Sequence, residues 1–320
     1  MPDSIRLYDF APAAVSVLDE VRESLGRTPK ELPPKLFYDE RGAALFERIT
    51  KLPEYYPTRT ESRIMHDHGK SIAEMIGPQA MLIEYGSGSS EKTRILLDRL
   101  QDPVAYVAID ISREHLLESA WRLAREYPAI EVMPVCADYD QHVEVPAPGR
   151  PERRRVVYFP GSTIGNFHPD DAVAFLQRMA RHAGAGGSLL IGVDLKKDPA
   201  VLNAAYNDSA QVTAAFNLNL LLRLNREIGA DFDIERFEHR AFYNENEGRV
   251  EMHLVSRVDQ RVRIDGESVD FTAGESIWTE SSYKYTVDEF SGLAGRAGFE
   301  LGRVWIDDDN LFSVHYYSTV

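Results

Sequence analysis

The chain is expected to fold as an α/β protein: a doubly wound parallel sheet ending in an antiparallel hairpin, joined to a second, α+β unit. Three observations lead there. Short apolar runs alternate with helical patterns from Met81 to Asp194. The first run, Met81-Leu82-Ile83, continues through Glu84 and Tyr85 into Gly86-Ser-Gly-Ser-Ser90, a tight glycine turn after a buried strand. From 237 to 271 strand-like runs follow one another without helices between them, as antiparallel pairing requires.

In order along the chain, 8–28 has a loose helical pattern, with Val15, Val17, Leu18, Val21 and Leu25 on one face. From 32 to 61, prolines 33, 34, 53 and 57 fix loops that carry Phe37, Tyr38, Tyr55 and Tyr56. Pocket wall and rings packed on the core are equally compatible with that composition. A helix over 59–76 ends at Gly77-Pro78, and the glycine turn follows the next strand, with Ser89 or Ser90 placed to cap a helix that buries Ile95, Leu96 and Leu100. Strands are expected at 105–109, 130–136, 156–159 and 188–193, and helices at 112–126 and 170–182. The second unit should hold a long helix over 208–228 and strands at 237–243, 250–258, 262–264 and 269–271, with Asp265-Gly266 as a hairpin turn. Lys196-Lys197-Asp198-Pro199 reads as an exposed linker. Thr286-Val-Asp-Glu289 is a capping box that opens a helix stopped by Gly298, and 299–306 with 311–317 form the closing hairpin.

Thirty-six basic and fifty-one acidic side chains leave a formal charge of −15, which repels phosphate backbones and anionic lipid. A small-molecule substrate is therefore expected, with no nucleic acid and no membrane partner. The one cysteine, Cys136, fits a reducing cytoplasm and reads as a small buried hydrophobe. No basic-then-apolar leader precedes the first helix and no long apolar run occurs, so a cytoplasmic protein is expected. A monomer is the expectation for its assembly, which neither feature decides. His66 and His68 flank Asp67 but would diverge on a helix, and no metal site is expected.

The third glycine of a dinucleotide fingerprint is here Glu91, which would repel a pyrophosphate. The turn suits a nucleoside ligand with a positive centre, and S-adenosylmethionine, a sulfonium, has that character. Asp110, at the end of the next strand, can accept both hydroxyls of a ribose. Asp138 can accept from an adenine amino group while Tyr139 packs on the base, although turn chemistry accounts for the acid equally well. The loop 160–167 lies at the carboxyl end of a central strand, where ligands bind in such sheets.

Five segments carry a resemblance to a known family: Leu-Pro-Pro-Lys-Leu-Phe-Tyr-Asp from 32, Leu-Pro-Glu-Tyr-Tyr-Pro-Thr-Arg-Thr-Glu from 52, Gly-Ser-Gly-Ser-Ser-Glu-Lys-Thr-Arg from 86, Gly-Ser-Thr-Ile-Gly-Asn from 161, and Thr-Glu-Ser-Ser-Tyr-Lys from 279. With them the whole chain resembles the histidine Nα-methyltransferases of ergothioneine biosynthesis, S-adenosylmethionine-dependent enzymes that convert L-histidine to trimethylhistidine (hercynine). The resemblance implies a Rossmann-like class I methyltransferase sheet with a terminal antiparallel hairpin, over 60–196 and 284–320, that binds the cofactor. It implies an α+β substrate-binding domain over 1–59 and 197–283. Carried over by motif, the cofactor site falls on Gly86, Lys92, Asp110, Asp138 and Tyr139, the last where the family usually has Phe. The substrate site falls on Tyr55, Gly161, Asn166, Tyr206, Thr213, Phe216, Met252, Glu280 and Ser282, with Tyr38 as the catalytic residue that aligns the amine.

The residues themselves agree with that assignment. Asn166 and Tyr206 can donate to a carboxylate, and Glu280 and Ser282, two apart on an extended strand, can address the two nitrogens of an imidazole. Met252 shares a strand face with Val250 and Leu254, so core packing and ring contact are both open to it. A related enzyme acting on tryptophan or tyrosine is opposed by Glu280, whose carboxylate would be desolvated against an indole at a cost of about 1–3 kcal/mol. A catalytically silent binding subunit is opposed by the intact glycine turn and acid pair.

Overall fold

A computed structural model of the chain describes residues 5–10, 17–88, 91–137 and 143–320. Two compact units emerge. One is built from Pro57–Leu195 and Tyr285–Val320 with the start of the chain, the other from the segment that ends at Tyr56 and from Lys196–Lys284.

The first unit is an eight-stranded sheet. Its strands lie in the order Tyr8–Asp9, Glu131–Cys136, Ala105–Asp110, Ala80–Tyr85, Arg154–Phe159, Ser188–Asp194, Phe312–Thr319 and Phe299–Ile306. All pairs are parallel through Ser188–Asp194, and the last two pairs are antiparallel. The strand Ala80–Tyr85 is buried at every position, as a parallel strand covered on both faces should be. It pairs with Ala105–Asp110 on one side and Arg154–Phe159 on the other, so the direction of strand addition reverses across it. A crevice opens beyond the carboxyl ends at such a reversal, here between the turn at Gly86 and the loop at Gly161. Ile64, Met65, Ile72 and Ile76 of the helix Tyr56–Ile76 pack with Leu82, Tyr106, Leu116, Leu123, Val156 and Val314 into one core. The capping box of the helix Val287–Arg296 is formed in both directions, Thr286 with Glu289.

The second unit has a four-stranded sheet in the order Lys30–Glu31, Ser276–Tyr283, Arg249–Ser256, Phe237–Asn244. A separate hairpin, Gln260–Ile264 with Glu267–Phe271, turns at Asp265 and Gly266 with φ of 47° and 85°. Both positive angles are what a two-residue hairpin of native twist needs.

Three expectations need correction. Residues 8–28 are not one helix: Tyr8–Asp9 is a strand paired with Val135 and Cys136, and the helix is Val17–Leu25. An available sheet edge overrides the weak local periodicity. The helix expected over 208–228 starts at Val212, because Gln211 takes a left-handed φ of 56° and the Asp208 carboxylate accepts the N–H groups of Val212 and Thr213. The supposed linker is structured: Asp198 caps a helix, Pro199–Tyr206, and Lys197 donates to the Tyr56 hydroxyl at 2.7 Å while lying over its ring. Among the described residues no helix is long and apolar enough to cross a membrane.

Candidate active site

In the first unit the chain leaves Tyr85 through Gly86 (φ 70°) and Gly88 (φ 44°). These angles exclude most side chains, and among the described residues a methyl group added at Gly86 would meet nothing within 4 Å. Gly86 N–H donates to the Ile109 carbonyl at 2.9 Å, which ties the turn to the end of the neighbouring strand. Asp110 follows there. Burial raises its pKa, opposed by N–H groups of Ser112, Gly88 and Ile111, with Ser112 N–H at 3.0 Å from Oδ1. Ser112 itself makes no side-chain cap for the helix that follows. The expected caps Ser89 and Ser90, and the expected adenine partners Asp138 and Tyr139, lie outside the described residues.

Lys92 and Gly161 are brought together by a residue that motif reasoning passed over. Glu61 is 1% exposed. Its two carboxylate oxygens accept the Gly161 N–H at 3.0 and 2.9 Å, and one of them also takes a hydrogen bond from the Lys92 ammonium. Glu61 ends the segment quoted from 52, so its motif was visible while its partners were not. Gly161 is left-handed (φ 83°), and a Cβ there would stand 3.6 Å from Lys92 Nζ. Asn166 closes the short 3-10 turn Thr163–Asn166 and is half-buried. It belongs to the first unit with Gly161, whereas the other expected substrate residues belong to the second.

In the second unit the aromatic residues form a chain of ring contacts. Tyr38 lies edge-on to Phe46 and Phe216, Phe46 to Tyr55, and Tyr55 to Tyr206, with centroids 5.8 to 6.5 Å apart. Phe37, fully buried, stacks on Phe216 at 4.4 Å and anchors the proline-pinned loop. Tyr38 beside it stays 42% exposed. Thr213 and Phe216 sit one turn apart on the buried face of the helix Val212–Ile228.

Across the sheet, Glu280 pairs with Met252 and Ser282 with Val250, so these four side chains share one face. Met252 is 2% exposed. Glu280 is half-buried by area, and desolvation pushes its carboxyl up to about 7 against the pull of the Lys284 ammonium. Tyr206 Oη donates to Ser282 Oγ at 2.8 Å, and Lys284 Nζ donates to Ser282 Oγ at 2.8 Å and Tyr206 Oη at 3.2 Å. The tyrosine proton expected to meet a carboxylate is thus directed to Ser282 here. Asn217 Nδ2 donates to His239 Nδ1 at 2.9 Å, which leaves Nε2 as the protonated nitrogen, and Nε2 donates to the Tyr206 carbonyl at 2.9 Å.

Comparison with known proteins bears on this geometry. Residues 17–319 match the family described as histidine-specific methyltransferase, SAM-dependent. A histidine N-alpha-methyltransferase of Mycolicibacterium smegmatis is 43% identical over 301 residues, covering 92% of each chain. Ergothioneine biosynthesis protein 1 of Neurospora crassa is 36% identical over 284 residues, 87% of this chain and 32% of that protein. A 4-dimethylallyltryptophan N-methyltransferase of Claviceps purpurea is 27% identical over 336 aligned positions, 92% of each. The chain is accordingly a member of the family of histidine-specific, S-adenosylmethionine-dependent methyltransferases.

Proposed function

We propose that the protein methylates the α-nitrogen of L-histidine three times in succession, giving trimethylhistidine (hercynine) as a step of ergothioneine biosynthesis. The observation that carries this reading is the Glu280–Ser282 pair, an acceptor and a hydroxyl on one buried sheet face beside Tyr206. The 43% identity to a histidine N-alpha-methyltransferase supports it. In this reading the first unit binds the cofactor and the second binds the amino acid, in the cytoplasm and as a monomer.

The residues present fit S-adenosylmethionine. Gly86, with no side chain, admits close approach of its backbone, Asp110 offers its carboxylate to the ribose hydroxyls, and Lys92, held by Glu61, stands at the Gly161 loop. When bound, the cofactor supplies a methyl group activated by its sulfonium. The protein's own work is positional. Asn166 is assigned to the substrate carboxylate, Glu280 and Ser282 hold the imidazole while Tyr206 keeps its proton on Ser282, and Tyr55, Thr213, Phe216 and Met252 enclose the side chain. Tyr38 aligns the lone pair of the α-nitrogen. An α-amino group with a pKa of about 8 is neutral often enough near pH 7 that no strong base is required.

Mass spectrometry of L-histidine incubated with enzyme and S-adenosylmethionine tests the reading, with gains of one, two and three methyl groups expected. Tryptophan, tyrosine and 4-dimethylallyltryptophan are run beside it. Faster turnover of an indole substrate overturns the assignment to histidine, and no adenosylhomocysteine from any amino acid supports a silent binding subunit instead.

A further inference from the structure

Lys284 ends the segment quoted from 279, yet the functional reading leaves it without a task. It is 2% exposed, and burying an ammonium is costly unless its hydrogens are used. On this face it donates to two hydroxyls, Ser282 Oγ at 2.8 Å and Tyr206 Oη at 3.2 Å, and its Nζ lies 5.2 Å from the centre of the Tyr206 ring.

Counting donors and acceptors fixes what this group can offer. An ammonium donates only, and a hydroxyl has one hydrogen and two lone pairs. Ser282 Oγ receives one hydrogen from Lys284 and one from Tyr206, the more acidic of the two hydroxyls, so both lone pairs are filled. Tyr206 Oη also accepts from Lys284. What remains for a ligand at Ser282 is its hydrogen. Glu280, two residues earlier on the same sheet face, is an acceptor when ionised.

We propose that Lys284 is a specificity-determining positioning residue: by donating to Ser282 and Tyr206 it restricts Ser282 to donation, so that the Glu280–Ser282 edge selects a ring offering one N–H and one nitrogen lone pair. Neutral imidazole has that edge. Imidazolium offers two N–H groups, indole an N–H without a lone pair, and a phenyl ring neither. The inference rests on the assignment of Glu280 and Ser282 to the substrate ring.

The test is a double-mutant cycle read by calorimetric titration of L-histidine into enzyme saturated with adenosylhomocysteine, using wild type, Lys284→Met, Ser282→Ala and the double variant. Lys284→Met and Ser282→Ala are each expected to weaken histidine binding about 10-fold or more, and the double variant no further than Ser282→Ala alone. Pyrrolylalanine, which keeps the N–H but lacks the lone pair, supplies a second readout. The preference of wild type for histidine over it should shrink in Lys284→Met, whereas a general loosening would weaken both equally. S-adenosylmethionine affinity is measured on each variant, and if Lys284→Met loses it, Lys284→Gln, too short to reach both hydroxyls, takes its place. Multiplying losses in the double variant, or an unchanged preference, overturn the role of Lys284 while leaving histidine as substrate. Failure of wild type to bind histidine overturns both.

Discussion

Glu61 shows how one buried carboxylate can organise two loops. Its oxygens hold the Gly161 N–H and the Lys92 ammonium at once, and its side chain is 1% exposed. Removing one partner of such a pair leaves the other groups desolvated and unpaired, which costs more than the pair is worth. Glu61→Ala is expected to destabilise the protein by about 3 kcal/mol and to weaken S-adenosylmethionine binding about 10-fold or more, read by denaturant titration and calorimetry. Unchanged cofactor affinity would show that the Gly161 loop and Lys92 keep their places without it. Glu280 differs, since its neighbour Lys284 is engaged by hydroxyls and desolvation dominates. A charge-assisted hydrogen bond is worth about 1.5–3 kcal/mol, so Glu280→Gln should lower kcat/KM for histidine about 10- to 100-fold with little change in cofactor affinity. Steady-state kinetics on histidine and calorimetry with S-adenosylmethionine separate the two effects.

At the scale of elements, the strand Ser188–Asp194 carries a glycine for a reason that lies in another element. A Cβ at Gly192 would stand 2.1 Å from Glu61 Oε1 and 3.0 Å from Phe312 Cε1, so the strand must leave room for the helix's acid. Gly192→Ala forces the carboxylate off Gly161 or the strands apart. Overpacking of this kind costs about 1–3 kcal/mol, and the variant should melt lower than wild type and lose cofactor affinity in parallel with Glu61→Ala. Normal melting together with normal affinity would mean that the carboxylate has another resting place. The helix Val287–Arg296 depends on a local device. Thr286→Ala removes the side-chain acceptor of the Glu289 N–H and is expected to cost about 1 kcal/mol, visible as a lower melting temperature.

For the molecule as a whole, what could be read from the chain divides by range. Asp265-Gly266 and Thr286-Glu289 were legible because a turn and a capping box are decided by the conformations of adjacent residues. The common face of Glu280 and Ser282 was legible because strand side chains alternate. The strand at Tyr8–Asp9, the reach of Glu61 to Gly161, and the burial of Lys284 were not, since each is set by which distant segment happens to lie alongside. Glu84 is of the second kind, and its consequence is global. It occupies a fully buried strand, is 2% exposed, and accepts from Thr93 Oγ1 at 2.7 Å and Tyr106 Oη at 2.5 Å. Desolvation outweighs these bonds and the Lys92 charge, and raises its pKa to about 7 from 4.5. A carboxyl whose folded value lies above its unfolded one favours the fold fully below the unfolded value. That contribution is lost as pH rises through 4.5 to 7 and stays absent above. With 1.36 kcal/mol per unit the span is at most about 3 kcal/mol, and it adds to the repulsion within a chain of net charge −15. Glu84→Gln, which keeps an acceptor for both hydroxyls, should therefore be more stable than wild type by about 1–3 kcal/mol well above pH 7, with the advantage shrinking steadily toward pH 5. Thermal melts of both proteins across that range decide it, and a difference independent of pH would mean that Glu84 is ionised in the fold throughout.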